Sequence, residues 1–350
     1  MPSSPDGIVA ARPRATVLGA FLEGWRRVLR APVLAIGVLV ATLLLALPLS
    51  VALRGMLEEH LGSSLQAEQA LNGWNAGWAA EFGAQAQGLG RTFTHEILGF
   101  GGTLANVSRV LDHGSLNPTV AGAAAAYIVL WIFLSGGVLD RLARARTVRT
   151  AAFFGACGVF FWRFLRLAVG VGLAYWWIFR YLHPFLFGTL YDQLTRDLTT
   201  ERTVFLIRGG LYAVLLAVLM LVSVIADFAK VRAVVEDRRS MLGAFAASMR
   251  FIRRRSLRVA ALYLVNTAAF LFILWLWSTI APRAGAETWW AFLVAEIYLL
   301  LRIWARLAFL ASDVAFFQAE LAHVEYTALP EPLWPESPAA EAIENMTRKG

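Results

Sequence analysis

Six long apolar runs constrain this chain more than anything else in it: residues 32–53, 119–139, 167–190, 204–227, 259–281 and 288–312. The hydrocarbon core of a bilayer is about 30 Å thick, and roughly 20 residues of α-helix cross it at about 1.5 Å each. A segment in hydrocarbon must satisfy its own backbone hydrogen bonds, which a helix does internally. The runs therefore predict six transmembrane helices and an all-α, polytopic membrane protein. Composition agrees: 58% of the 350 residues are hydrophobic and 16% charged, where a soluble domain carries about 25% charged residues. The net charge of +8 does not point to nucleic acid. The arginines gather at the ends of the apolar runs, where they face anionic lipid headgroups. The one cysteine, Cys157, excludes an intrachain disulfide and a cysteine-based metal cluster. No cleavable leader is read at the start, because the first apolar run is too long for one.

Charge sets the topology. Twenty-two lysines and arginines fall in residues 1–31, 140–166, 228–258 and the C-terminal tail, against six in the segments between. The expected arrangement has both termini in the cytoplasm. Residues 1–31 form an N-terminal segment with an interfacial amphipathic helix, residues 32–320 the membrane domain, and residues 321–350 a cytoplasmic tail. The tail's run "LPEPLWPESPAAEAIE" is rich in proline and glutamate and predicts disorder. The segment 54–118 lies outside. Leu71, Trp74, Trp78 and Phe82 recur at helical spacing, as do Phe93, Ile97, Leu104 and Leu111 more loosely, with Gly88 and Gly90 between. This predicts an amphipathic hairpin, either a cap on the outer leaflet or a lid over a substrate path.

A threefold repeat is visible. The segments "ATVLGAFLEGWRRVLRAP", "RTAAFFGACGVFFWRFLR" and "SMLGAFAASMRFIRRRSL" align Phe21, Phe154 and Phe245, which places Arg30, Arg163 and Arg254 in register. Each has an apolar and a basic face, as expected of a helix lying in the membrane interface. The second span of each unit ends at an aspartate: Asp140, Asp227 and Asp313 are separated by 87 and 86 residues. The expected fold is three parallel two-span repeats, each entered by a cytoplasmic interfacial helix, with the first expanded by the outer hairpin.

Two groups of residues are candidates for function. The three aspartates form either a cytoplasmic ring that binds a cation or shuttles protons, or a set of structural ion pairs. In the second case each aspartate pairs with an arginine and pins a basic helix, with Arg30, Arg163 and Arg254 as ion-pairing positions. Basic residues lie nearby at Arg141, Arg144, Lys230 and Arg232. Asp313 lacks such neighbours, since "AFFQAE" follows it, and Arg302 and Arg306 are its expected partners. These two arginines lie inside the sixth run. At about 100° per residue they project within roughly 40° of Asp313 on one helix face. An arginine in a span is costly and must face a cavity, a partner or the headgroups. Arg302, Arg306 and Asp313 are thus the candidate ligand-binding residues, the guanidinium fork suiting a phosphate or carboxylate. His60, His95 and His113 in the outer segment fit no compact metal spacing, and His183-Pro184 is expected to end or kink the third span. No metal, cofactor or nucleotide motif is read.

The stretch "DFAKVRAVVEDRRSMLGAFAASMRFIRRR", residues 227–255, resembles a recurrent segment of bacterial multi-pass proteins. Those are similar to the membrane domain attached to some glycerophosphodiester phosphodiesterases. In the attached enzymes, catalysis resides in a separate soluble barrel that begins with a His-Arg-Gly type motif. That tripeptide does not occur here. The resemblance implies a bacterial inner-membrane six-helix protein and carries over no catalytic residue. The expected function is therefore non-enzymatic: binding or moving an anionic amphiphile or lipid. The alternative is a membrane scaffold or a subunit of a larger complex. The expected partners are anionic membrane lipids, together with a protein partner or a second copy.

Overall fold

The computed structural model describes residues 16–71, 75–94, 108–109, 111–114, 118–145, 148–281 and 288–323. Every regular element among them is helical. The helices are α1 (Val17–Leu29), α2 (Pro32–Ser63), α3 (Ala67–Leu71), α4 (Ala76–Gln85), α5 (Pro118–Arg144), α6 (Thr150–Thr195), α7 (Glu201–Val235), α8 (Met241–Arg254), α9 (Ser256–Ile280) and α10 (Thr288–His323). The tail from 324 on, expected to be disordered, lies outside the described residues, as does the centre of the outer segment.

The three amphipathic segments start in the same register. Helices α1, α6 and α8 begin at Val17, Thr150 and Met241, each four residues before the aligned phenylalanine. Thr16 and Ser240 fix two of these starts. Their hydroxyls accept the Gly19 and Gly243 N–H groups at 3.1 and 3.3 Å, filling orphan donors of the first turn. Arg149 offers no side-chain cap. After α1 the chain breaks at Arg30 and restarts with Pro32 in the first turn of α2, where a missing N–H costs nothing. After α8 it breaks at Arg255. The second segment does not break at all: α6 runs on as one helix. Nor does it stop at His183-Pro184. It passes through with π-helical turns at Ile178–Leu182 and Phe185–Leu190. Pro184 cannot donate to the preceding turn, and the wider turns absorb that defect without ending the helix.

Five helices are long and apolar enough to cross a membrane: α2, α5, α6, α7 and α9. Their outward faces expose Leu44, Leu47, Leu173, Trp176, Leu264 and Phe272, a surface that water would penalise and hydrocarbon would not. Helix α10 has 36 residues, or about 54 Å, but is not among those five.

The buried core lies toward one end. It takes in α5 from Trp131 to Leu142, α7 from Val224 to Ala233 and α10 from Ile303 to Phe317. These three helices touch one another pairwise, and each receives one amphipathic segment: α6 packs on α5, α8 on α7 and α1 on α10. The N-terminal helix thus closes the ring on the C-terminal one. Small residues allow the close approaches. A Cβ on Gly24 of α1 would lie 2.5 Å from the Ser312 backbone nitrogen, and one on Gly137 of α5 would lie 2.8 Å from the Phe153 carbonyl of α6. In the α7–α8 joint Ala229, Ala244 and Ser248 are buried.

At the other end, α4 folds back on the extension of α2. Trp78 and Phe82 stack at 5.6 Å between centroids, and Trp78 Nε1 donates to His60 Nδ1 at 3.1 Å. Gly88, at φ +50°, makes the break expected there. Further on, Asp112 accepts hydrogen bonds from the Tyr212 hydroxyl and, at 2.9 Å, from Ser108. These hydrogen bonds, that of Tyr212 foremost, hold its carboxyl below the usual carboxylate value.

Candidate functional site

The three aspartates stand at matching places on α5, α7 and α10, but their partners differ. Asp140 accepts from Arg144 Nε at 2.8 Å, and Asp227 pairs with Lys230 at 2.5 Å. Both partners lie on the same helix at i+4 or i+3, the shortest reach a helix offers. The pairs therefore do not pin the amphipathic helices, which corrects that expectation. Asp313 has no base at those offsets: Phe316 and Phe317 occupy them, both fully buried. Its Oδ2 accepts from the Tyr263 hydroxyl of α9 at 3.0 Å, and the same hydroxyl lies 3.4 Å from Asp227 Oδ2. Asp313 is 1% exposed, and its Oδ1 has no hydrogen-bond partner among the described residues. Nearby on the same two helices, Ser312 lies 3.5 Å from Asn266. The structure thus brings together Asp227, Lys230, Tyr263 and Asp313, of which Tyr263 and Asp313 are buried and the other two partly exposed.

Arg302 and Arg306 are not the partners of Asp313. Both lie on the exposed side of α10. Arg306 donates to the Tyr127 hydroxyl of α5 at 3.1 Å, and its guanidinium sits 3.7 Å over the Trp131 ring. Tyr127 and Trp131 are one turn apart on α5 and make a two-ring seat for the cation. Arg302 lies 5.6 Å over Tyr298. That ring stacks on Trp277 at 4.2 Å, and both the Tyr298 hydroxyl and Trp277 Nε1 are buried without a hydrogen-bond partner among the described residues. Neither arginine has a carboxylate partner among the described residues. Two guanidinium groups without a carboxylate beside them among the described residues suit an anion.

Other residues do the pinning. Arg27 of α1 donates to the Leu142 carbonyl at 3.1 Å and to Gln318 at 2.8 Å, joining α1 to α5 and α10. Arg163 meets Asp237 at 2.8 Å beyond the end of α7. Arg30 and Arg254, expected to act alongside it, are exposed and make no ion pair among the described residues. Glu320 is gripped by both Arg255 and Arg258. Sequence reading missed Glu320 and Tyr263. A signal existed for the first: Glu320 lies two turns beyond Asp313 on the same face, opposite a chain segment crowded with arginines. For Tyr263 there was none, because nothing local distinguishes it from other aromatics in an apolar run.

The chain is thus an all-helical protein with five helices apolar enough to span a membrane and a polar cluster where α7, α9 and α10 meet. No protein-family model matches its sequence, and no curated protein or solved structure matches it either.

Proposed function

We propose that this is a six-span protein of the bacterial inner membrane that binds or moves an anionic amphiphile or lipid, without catalysis. In this reading α10 is the sixth span. Helices α1, α8 and the first part of α6 lie in the cytoplasmic interface, and both termini are cytoplasmic. The three two-span units form parallel repeats around an axis along the membrane normal. Support for the repeat comes from the shared helix starts and from the closure of α1 on α10, which parallels α6 on α5 and α8 on α7. Support for the ligand rests on one observation: Arg302 and Arg306 have aromatic seats but no carboxylate partner among the described residues. A charge in a span is retained at a cost of about 3 kcal/mol, and an anionic headgroup between helices is the counter-charge that would offset it. Arg302 with Tyr298, and Arg306 with Tyr127 and Trp131, are the proposed contacts.

Native mass spectrometry of the full chain tests this. Anionic lipid should accompany the wild-type protein through detergent extraction and be lost, about tenfold or more, from Arg306→Leu, with the helical spectrum unchanged. Equal lipid on both proteins would remove the ligand reading and leave a scaffold whose basic face grips the membrane or a partner.

A further inference from the structure

Two helices of the ring, α7 and α10, approach each other through a row of three oxygens. Asp313 Oδ2 lies 3.0 Å from the Tyr263 hydroxyl oxygen, which in turn lies 3.4 Å from Asp227 Oδ2. The two gaps in this row call for two protons, and the tyrosine carries one. On the far side of Asp227, Lys230 occupies Oδ1 at 2.5 Å. On the far side of Asp313, Oδ1 has no hydrogen-bond partner among the described residues, the residue is 1% exposed, and Phe316 and Phe317 fill the places where the other two aspartates find a base. An ionised Asp313 would leave an anionic oxygen without a donor in an apolar interior.

We propose that Asp313 is a proton-binding site. Its carboxylate takes up one proton at Oδ2, forming a single O–H bond that donates to the Tyr263 oxygen. Tyr263 then donates to Asp227, which stays an anion paired with Lys230. Each hydrogen in the row has an acceptor, and the only atom left over is a neutral carbonyl oxygen, a far smaller cost than an anionic one. The ligand is a proton.

The other charged groups near α10 are already engaged. On α1, Arg27 is held by Glu23, Gln318 and the Leu142 carbonyl. On α5, Asp140 is held by Arg144. On α10 itself, Glu320 is held by Arg255 and by Arg258 of α9, and Arg306 by Tyr127. Helix α2 carries its charges only from Arg54 on, at its far end. On α7, Arg232 lies 5.5 Å over the Phe317 ring and is held by Glu236. Asp227, Lys230 and Tyr263 are the groups that face the proton. The row of oxygens is complete without a bound amphiphile.

Infrared spectroscopy of the purified full-length protein reads the site directly. At neutral pH the wild type should show a carboxylic-acid C=O band that Asp313→Asn abolishes and Asp227→Asn retains. Tyr263→Phe removes the acceptor and should shift the band without removing it. Asn is the neutral isostere of the protonated acid, so Asp313→Asn should unfold at the wild-type temperature. Identical carboxylic-acid regions in wild type and Asp313→Asn would overturn the proposal. Loss of the band on adding sodium or potassium chloride would also overturn it, since a monovalent cation would then be the ligand. If Asp313→Asn does not fold, Tyr263→Phe decides alone, and an unshifted band overturns the assignment.

Discussion

Helices α5 and α10 hold the same place in the ring and differ in what they do with it. Each receives an amphipathic helix across a glycine-mediated joint, and each carries an aspartate near that joint. On α5 the aspartate meets Arg144, whose side chain is 40% exposed, and the pair needs nothing from outside the helix. On α10 the aspartate is sealed in and depends on a hydroxyl from α9. Higher up, α10 carries Arg302 and Arg306 where the aspartate register places Val129 and Phe133 on α5. The joint is thus common to both helices, while the chemistry is special to α10. Packing constrains the small residues at the joint. The polar residues above it differ between the two helices.

This comparison can be broken at the joints. Gly24→Val and Gly137→Val each place a side chain against neighbouring backbone closer than real contacts allow. Each should cost about 3 kcal/mol, read as a lowered unfolding temperature in detergent. If one substitution is tolerated and the other is not, the two joints are not equivalent. A smaller effect sharpens the contrast between the aspartates. Asp140→Asn removes an ion pair whose basic partner is well exposed to solvent. It should cost under about 1 kcal/mol and leave bound lipid unchanged. An effect on lipid retention comparable to that of Arg306→Leu would mean that α5 shares the chemistry assigned to α10.

What could be read from the sequence follows the range of the interaction. The shared register of α1, α6 and α8 was legible because the spacing of the aligned phenylalanines and arginines is local. The bases nearest Asp140 and Asp227 were legible too, since they lie within one turn. Periodicity also put Arg302, Arg306 and Asp313 on one face, but it does not say which helix that face meets. Tyr127 is 179 residues from Arg306, and Tyr263 is 50 from Asp313; only the closed ring brings them together. The same limit applies to α1, whose partner is the last helix of the bundle. At His183-Pro184 an end or a kink was expected, and the helix does not end there. A proline signals a defect in the hydrogen-bond ladder, and the remainder of an apolar helix has more than one way to absorb it.

The account depends most on α10 crossing the membrane, because that places Arg302, Arg306 and Asp313 in hydrocarbon. Five spans put the two ends of the chain on opposite sides, and six put them on the same side. Reporters active only in the cytoplasm, fused before Met1 and after Gly350, decide between them, with a third fused within residues 62–88 as the reference. The expected result is activity at both ends and silence in the outer segment. Activity before Met1 with silence after Gly350 would show that α10 does not cross, and would contradict the account at its base.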